Sequence, residues 1–145
     1  MPGSLLHIRI LLADDHPIIR RGVRNILEAT GEYEVCGEAA DGNKTLEMAL
    51  RLHPDIVITD ISMTPTNGLE VTRRLHGALP DAKVLILTMH DSAEMLRAAA
   101  LAGASGYLLK SDAEELLVRA LQTLNAGQRF VSPSFAPALV EQAFS

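Results

Sequence analysis

LLADDHP, residues 11–17, joins two patterns within seven residues. An apolar run stops at two adjacent carboxylates, Asp14 and Asp15. Pro17 then opens a stretch in which Ile18, Ile19, Val23, Ile26 and Leu27 recur at near-helical spacing. Proline suits a first helical turn, where its missing N–H has no partner to lose. The junction reads as a strand running into a helix across an acidic turn. The alternation continues outward: HIRILLAD (7–14), EYEVCGEA (32–39), DIVITD (55–60), AKVLILT (82–88) and GYLLK (106–110) are apolar runs separated by helical patterns. The last three are almost continuously apolar, as in strands buried on both faces.

The intervening helices carry their own signals. Asp41 is placed to cap a helix bearing Leu46, Met48, Ala49 and Leu52. Pro65 and Gly68 fall in a loop before Leu69, Val71 and Leu75. Asp91 or Ser92 caps a helix with Leu96, Ala99, Ala100 and Leu101. Ser111 and Glu114 have capping-box spacing at the head of a stripe formed by Ala113, Leu116, Leu117, Ala120, Leu121 and Leu124. Alternating β and α with short loops predicts an α/β fold. Its expected form is a flavodoxin-like, five-stranded parallel sheet of order 2-1-3-4-5, with helices on both faces. After Gly127 the pattern breaks, and RFVSPSFAPALVEQAFS (129–145) reads as a linker with a helical turn. The expected division is a domain over 1–128 and the start of a linker over 129–145.

Bulk composition narrows the function classes. Of 145 residues, 48% are hydrophobic but only 3% aromatic, so the core must be aliphatic. No apolar run is long enough to cross a membrane, and MPGSLLHIRI lacks the basic start of a signal peptide. The single cysteine, Cys36, excludes a disulfide framework and fits a cytoplasmic protein. A net charge of −5 makes the chain a poor binder of DNA by itself.

The polar residues at the carboxyl ends of the strands point to chemistry. Strand one ends in Asp14 and Asp15, strand three in Asp60, strand four in Thr88 and strand five in Lys110. Open parallel sheets bind ligands beyond these ends, where the strand order reverses. In the expected order, strands one and three are neighbours there, so three carboxylates share one pocket. Such carboxylates need a compensating charge. A hard divalent cation such as Mg²⁺ prefers oxygen donors and bridges carboxylate to phosphate. Asp60 is the natural nucleophile, since a carboxylate forms an aspartyl phosphate. Mg²⁺ and Lys110 would offset charge on the phosphoryl oxygens, and Thr88 would donate a hydrogen bond to them. Singly, each residue is ordinary: a capping Asp14, a turn Asp60, a strand-forming Thr88, an exposed Lys110. Four strand ends delivering five such residues outweigh those readings.

These residues and their surroundings resemble the receiver domain of two-component response regulators, most closely the LuxR/NarL type. The matching pieces are LLADDHPIIRRGV, DIVITDISM followed by NGLE, VLILTMHD and GASGYLLK, in order across about residues 7–128. The resemblance implies a signalling domain rather than an enzyme. Asp60 would accept a phosphoryl group from a phosphohistidine on a sensor histidine kinase. Asp15 would bind Mg²⁺ directly and Asp14 largely through water, with Asp60 and the Ser62 backbone carbonyl completing the protein ligands. Thr88 and Lys110 would contact the phosphoryl oxygens, and Tyr107 would turn inward as Thr88 moves. It further implies a helix-turn-helix output domain beyond the linker, which this chain lacks, as the route to DNA and transcription control. A homodimer is left open, through helix one with strand-five loops or through the helix-four face.

Two positions depart from the family. Proline usually stands four residues after the acceptor, where this chain has Thr64 and then Pro65. A small residue usually follows the threonine, where this chain has Met89. Ser62, Met89 and His90 are expected to line the path of a hydrolytic water and to set the lifetime of the phosphorylated state. Two rival readings fit less well. Haloacid dehalogenase phosphatases place a second aspartate two residues after the first, where Ser62 stands. Flavin or dinucleotide sites need a glycine-rich loop, and DDHP would repel a phosphate.

Overall fold

The structure, a computed structural model, describes residues 7–145; MPGSLL, read above for a signal peptide, lies outside the described residues. The chain alternates β1 (Ile8–Ala13), α1 (Pro17–Thr30), β2 (Tyr33–Ala39), α2 (Gly42–Leu52), β3 (Ile56–Thr59), α3 (Gly68–Ala78), β4 (Lys83–Thr88), α4 (Ala93–Ala102), β5 (Gly106–Leu109), α5 (Ala113–Asn125), β6 (Phe130–Val131) and α6 (Pro137–Phe144). The strands form one parallel sheet in the order β2-β1-β3-β4-β5-β6. The doubly wound architecture is as expected, but the sheet has six strands, not five.

Period-two alternation divides the strand side chains between two core layers. Ile10, Leu12, Ile58, Leu85, Leu87 and Leu108 face α1 and α5, meeting Val23, Leu27, Leu117 and Leu121. Leu11, Val57, Val84, Ile86 and Tyr107 face the other way, meeting Ala49 of α2, Val71 and Leu75 of α3, and Leu96 of α4. Every residue of β3 and β5 is buried, which explains their unbroken apolar sequence.

Several helix details differ from the sequence reading. Ile18 and Leu101 are 80% and 83% exposed, because at 100° per residue each lies far around its helix from the buried stripe. Asp41 and Ser92 do cap α2 and α4, accepting from Lys44 N and Met95 N. The α3 cap is Asn67, whose side chain accepts from Glu70 N, and Gly68 is the first helical residue rather than part of a loop. A Cβ at Gly68 would overlap the Asp60 backbone carbonyl, so the helix start packs directly on the turn after β3. The capping box at Ser111 does not form: Lys110–Asp112 make a 3-10 turn, and α5 begins at Ala113 with no side-chain cap.

The tail also differs. Phe130 and Val131 pair with Gly106 and Tyr107, and α6 adds Leu139, Val140, Ala143 and Phe144 to the layer around Leu96 and Tyr107. Serines and prolines punctuate this segment, yet its spaced apolar residues give it a face to bury.

Candidate functional site

The parallel ladder brings the ends of β1 and β3 side by side. Asp60 N donates to Ala13 O at 2.9 Å, while Asp14 N donates to Ala39 O of β2 at 3.0 Å. The turns therefore carry Asp14 and Asp60 into the same corner, 5% and 3% exposed. Asp15 points outward, its side chain 43% exposed. Lys110, starting the turn after β5, extends its ammonium to within 2.8 Å of Asp14 Oδ2 and 3.3 Å of Asp60 Oδ2. Burial alone would lower the Lys110 pKa, but the two carboxylates outweigh it and hold the ammonium above the usual lysine value.

Ligand atoms of Asp14, Asp15, His16 and Asp60 all lie within 4.8 Å of one another. Asp14 Oδ2 is buried, and its partner is the Lys110 ammonium at 2.8 Å. Three carboxylates gathered around a single ammonium keep an excess of negative charge, which suits a hard cation. The donor set could hold a divalent metal.

Two contributors escape sequence reading. His16 donates its backbone N–H to Asp14 Oδ1 at 2.8 Å, and its ring Nδ1 lies 3.0 Å from that oxygen and from Asp15 Oδ1. Its position in DDHP was visible, but its turn back onto the carboxylates was not. Arg20 bonds the Asp14 backbone carbonyl and pairs with Glu38 of β2 at 3.1 Å. That link joins α1, β1 and β2 across distances no local pattern reports.

A second chain of contacts runs through His90. Its backbone N–H donates to Thr88 Oγ1 at 3.1 Å, and its carbonyl accepts from the Tyr107 hydroxyl at 2.6 Å. Its ring Nε2 lies 3.1 Å from Ser62 Oγ. Thr88 is fully buried, Tyr107 is turned inward, and Met89 is 78% exposed. Burial, with a smaller contribution from Asp91, pushes the Tyr107 phenol up to about 12. The expected residues thus fall into two groups. Asp14, Asp15, Asp60 and Lys110 form the charged cluster, while Ser62, Thr88 and Tyr107 are connected through His90; Met89 stands apart in solvent.

Residues 10–122 match the model of the response regulator receiver domain. The chain belongs to the response regulator receiver family. The receiver is 36% identical over 135 residues to the transcriptional regulatory protein DegU of Brevibacillus brevis, covering 93% of this chain and 57% of that protein. It is 37% identical over 136 residues to the oxygen regulatory protein NreC of Staphylococcus carnosus (strain TM300), covering 93% and 63% respectively. A crystal structure of a LuxR-family two-component response regulator from Aurantimonas sp. SI85-9A1 superposes with a TM-score of 0.84 at 38% identity, covering 95% of each chain. The chain thus spans 57% and 63% of the two curated relatives. Those relatives place the receiver in the LuxR/NarL group. No helix among the described residues is long and apolar enough to cross a membrane.

Proposed function

We propose that this receiver is the phosphoacceptor of a two-component pathway and that Asp60 takes the phosphoryl group. The carrying observation is the environment of Asp60: a buried carboxylate at a strand end, 3.3 Å from the Lys110 ammonium and beside the Asp14–Asp15 pair. An Asp60 carboxylate oxygen attacks phosphorus of a phosphohistidine on a sensor histidine kinase. The new O–P bond replaces the N–P bond, and the imidazole leaves with the electron pair and takes up a proton. Lys110 offsets charge on the transferring oxygens, and the Thr88 hydroxyl keeps its own proton to donate to the product. Asp14, Asp15, Asp60 and the Ser62 backbone carbonyl would hold Mg²⁺, which supplies further charge neutralisation when bound.

Thr88 and Tyr107 share His90, so movement of Thr88 toward the phosphoryl group reaches the buried phenol directly. That connection supports their role as a two-state switch. Ser62, Met89 and His90 tune dephosphorylation, with the Ser62–His90 contact closing part of the approach for water. Met89→Ala and Ser62→Asn should each change the dephosphorylation rate; unchanged rates would refute the tuning role. The domain acts as a cytoplasmic signalling module, not a turnover enzyme. In the whole protein residues 1–128 receive the signal, and 129–145, packed back on β5 and α4, lead on toward a helix-turn-helix output domain through which DNA is bound and transcription regulated.

The test is intact mass after incubation with acetyl phosphate and Mg²⁺, for wild type and Asp60→Ala. One added phosphoryl group, absent in the variant and without metal, is the expected result. Addition to Asp60→Ala, or none to the wild type, would refute the assignment.

A further inference from the structure

The tail reaches the charged cluster through β5. Ser132 is 1% exposed, and its hydroxyl accepts from Leu109 N at 2.8 Å. Its own N–H donates to Tyr107 O at 2.9 Å. Only two residues of β6 pair with β5, and the chain turns at Ser132, where Phe135 N donates to Ser132 O at 3.2 Å. The Ser132 hydroxyl therefore replaces the backbone acceptor that a longer strand would offer Leu109. Leu109 is the residue immediately before Lys110, so this bond fixes the point from which the site's ammonium extends. A second contact lies one turn on. The Phe135 ring meets Tyr107 edge to face, with centroids 5.6 Å apart and planes at 85°. Tyr107 is thus held at its ring by the tail and at its hydroxyl by His90.

We propose that Phe130–Phe135 is a positioning element of the phosphoryl site, in which Ser132 fixes the end of β5 that carries Lys110 and Phe135 holds Tyr107 inward. The inference rests on Asp60 being the acceptor. Losing the Ser132 hydroxyl leaves a buried N–H without a partner and frees the strand end to shift. Lys110 then loses its alignment with the transferring oxygens. Lys110 is not a metal ligand but a competing cation on Asp14 and Asp60, so its displacement should not weaken metal binding.

The full chain is compared with Ser132→Ala, Ser132→Thr and Phe135→Leu, using acetyl phosphate at saturating Mg²⁺ and following intact mass. Ser132→Ala should slow phosphorylation about tenfold, since small misplacements of reacting groups are costly in rate. Its Mg²⁺ affinity by calorimetric titration should be no weaker than the wild type's, and Ser132→Thr, which keeps the hydroxyl, should recover the rate. In Phe135→Leu the high-pH tyrosinate absorbance step should move down from about 12. A folded Ser132→Ala that reacts at the wild-type rate overturns the proposal, as does a Ser132→Thr as slow as the alanine variant. If Ser132→Ala fails to fold by circular dichroism, Ser132→Cys is judged by the same rate and affinity criteria. A wild type that takes up no phosphoryl group refutes the acceptor assignment itself, whereas a reactive wild type with an equally reactive Ser132→Ala refutes only the positioning role.

Discussion

Replacing Lys110 by methionine should destabilise the protein and make its stability depend on magnesium. The Lys110 side chain is 11% exposed and lies 2.8 Å from Asp14 and 3.3 Å from Asp60, both buried. Methionine fills similar volume without charge, so the substitution isolates the electrostatic loss. Breaking a buried ion pair by removing one partner costs roughly 3–5 kcal/mol, because the remaining charge stays desolvated. His16 beside Asp14 and water around Asp15 soften that loss here, which favours the low end, about 3 kcal/mol. For a domain of this size about 1 kcal/mol moves the melting temperature by roughly 3 °C, so the expected drop is near ~9 °C. The assay is thermal unfolding by circular dichroism at neutral pH, with and without Mg²⁺. Added Mg²⁺ should narrow the gap, since it supplies positive charge to the same carboxylates. The sign with pH follows from the raised Lys110 pKa. Its stabilisation is complete below the unfolded lysine value of 10.5 and is lost as pH climbs through the higher folded value. The gap should therefore hold through the neutral range and close in strong alkali. A Lys110→Met protein as stable as the wild type without Mg²⁺ would refute this account of the cluster.

Other outcomes follow from single contacts. Alkaline titration of tyrosinate absorbance should show two late steps: Tyr33 somewhat above its ordinary 10.0, raised by burial and by Glu32, and Tyr107 near 12. Gly68→Ala should lower the melting temperature and impair phosphorylation together, because the added methyl overlaps the Asp60 carbonyl. Leu117→Ala, at a fully buried core position, should cost about 2–5 kcal/mol in urea unfolding with Mg²⁺ affinity unaltered. Leu101→Ser, by contrast, should stay within about 0.5 kcal/mol of wild type, since that side chain is 83% exposed.

Much of this arrangement was legible because sheet physics writes itself into short windows. Strands buried on both faces must be apolar throughout, and Val57, Ile58, Leu85 and Ile86 are. A charged residue ending such a run marks a strand end, so Asp14, Asp60 and Lys110 announced themselves. Topology then placed Asp14 and Asp60 together without any knowledge of side-chain contacts. The misses share a different cause. Ser132, Phe135 and the sixth strand depend on partners more than twenty residues away, and Ser-Pro punctuation looks like linker when only local chain is read. Ile18 and Leu101 were misassigned because apolar character alone does not fix a helical face; rotation about the axis does. The failed Ser111 cap shows a local motif losing to the 3-10 turn that delivers Lys110 to the cluster.

The two-residue strand β6 has one further effect. Without it, β5 would be the sheet's outermost strand, and all four of its residues are buried and mostly apolar. A bare strand of that kind is a template for pairing with another molecule. Phe130 and Val131 occupy that ladder, and the turn at Ser132 with Pro133 behind it stops the new edge after two rungs. On this side of the sheet the outward rim is therefore too short to template pairing with a neighbouring chain, and the segment that caps it is one whose sequence resembles a spacer.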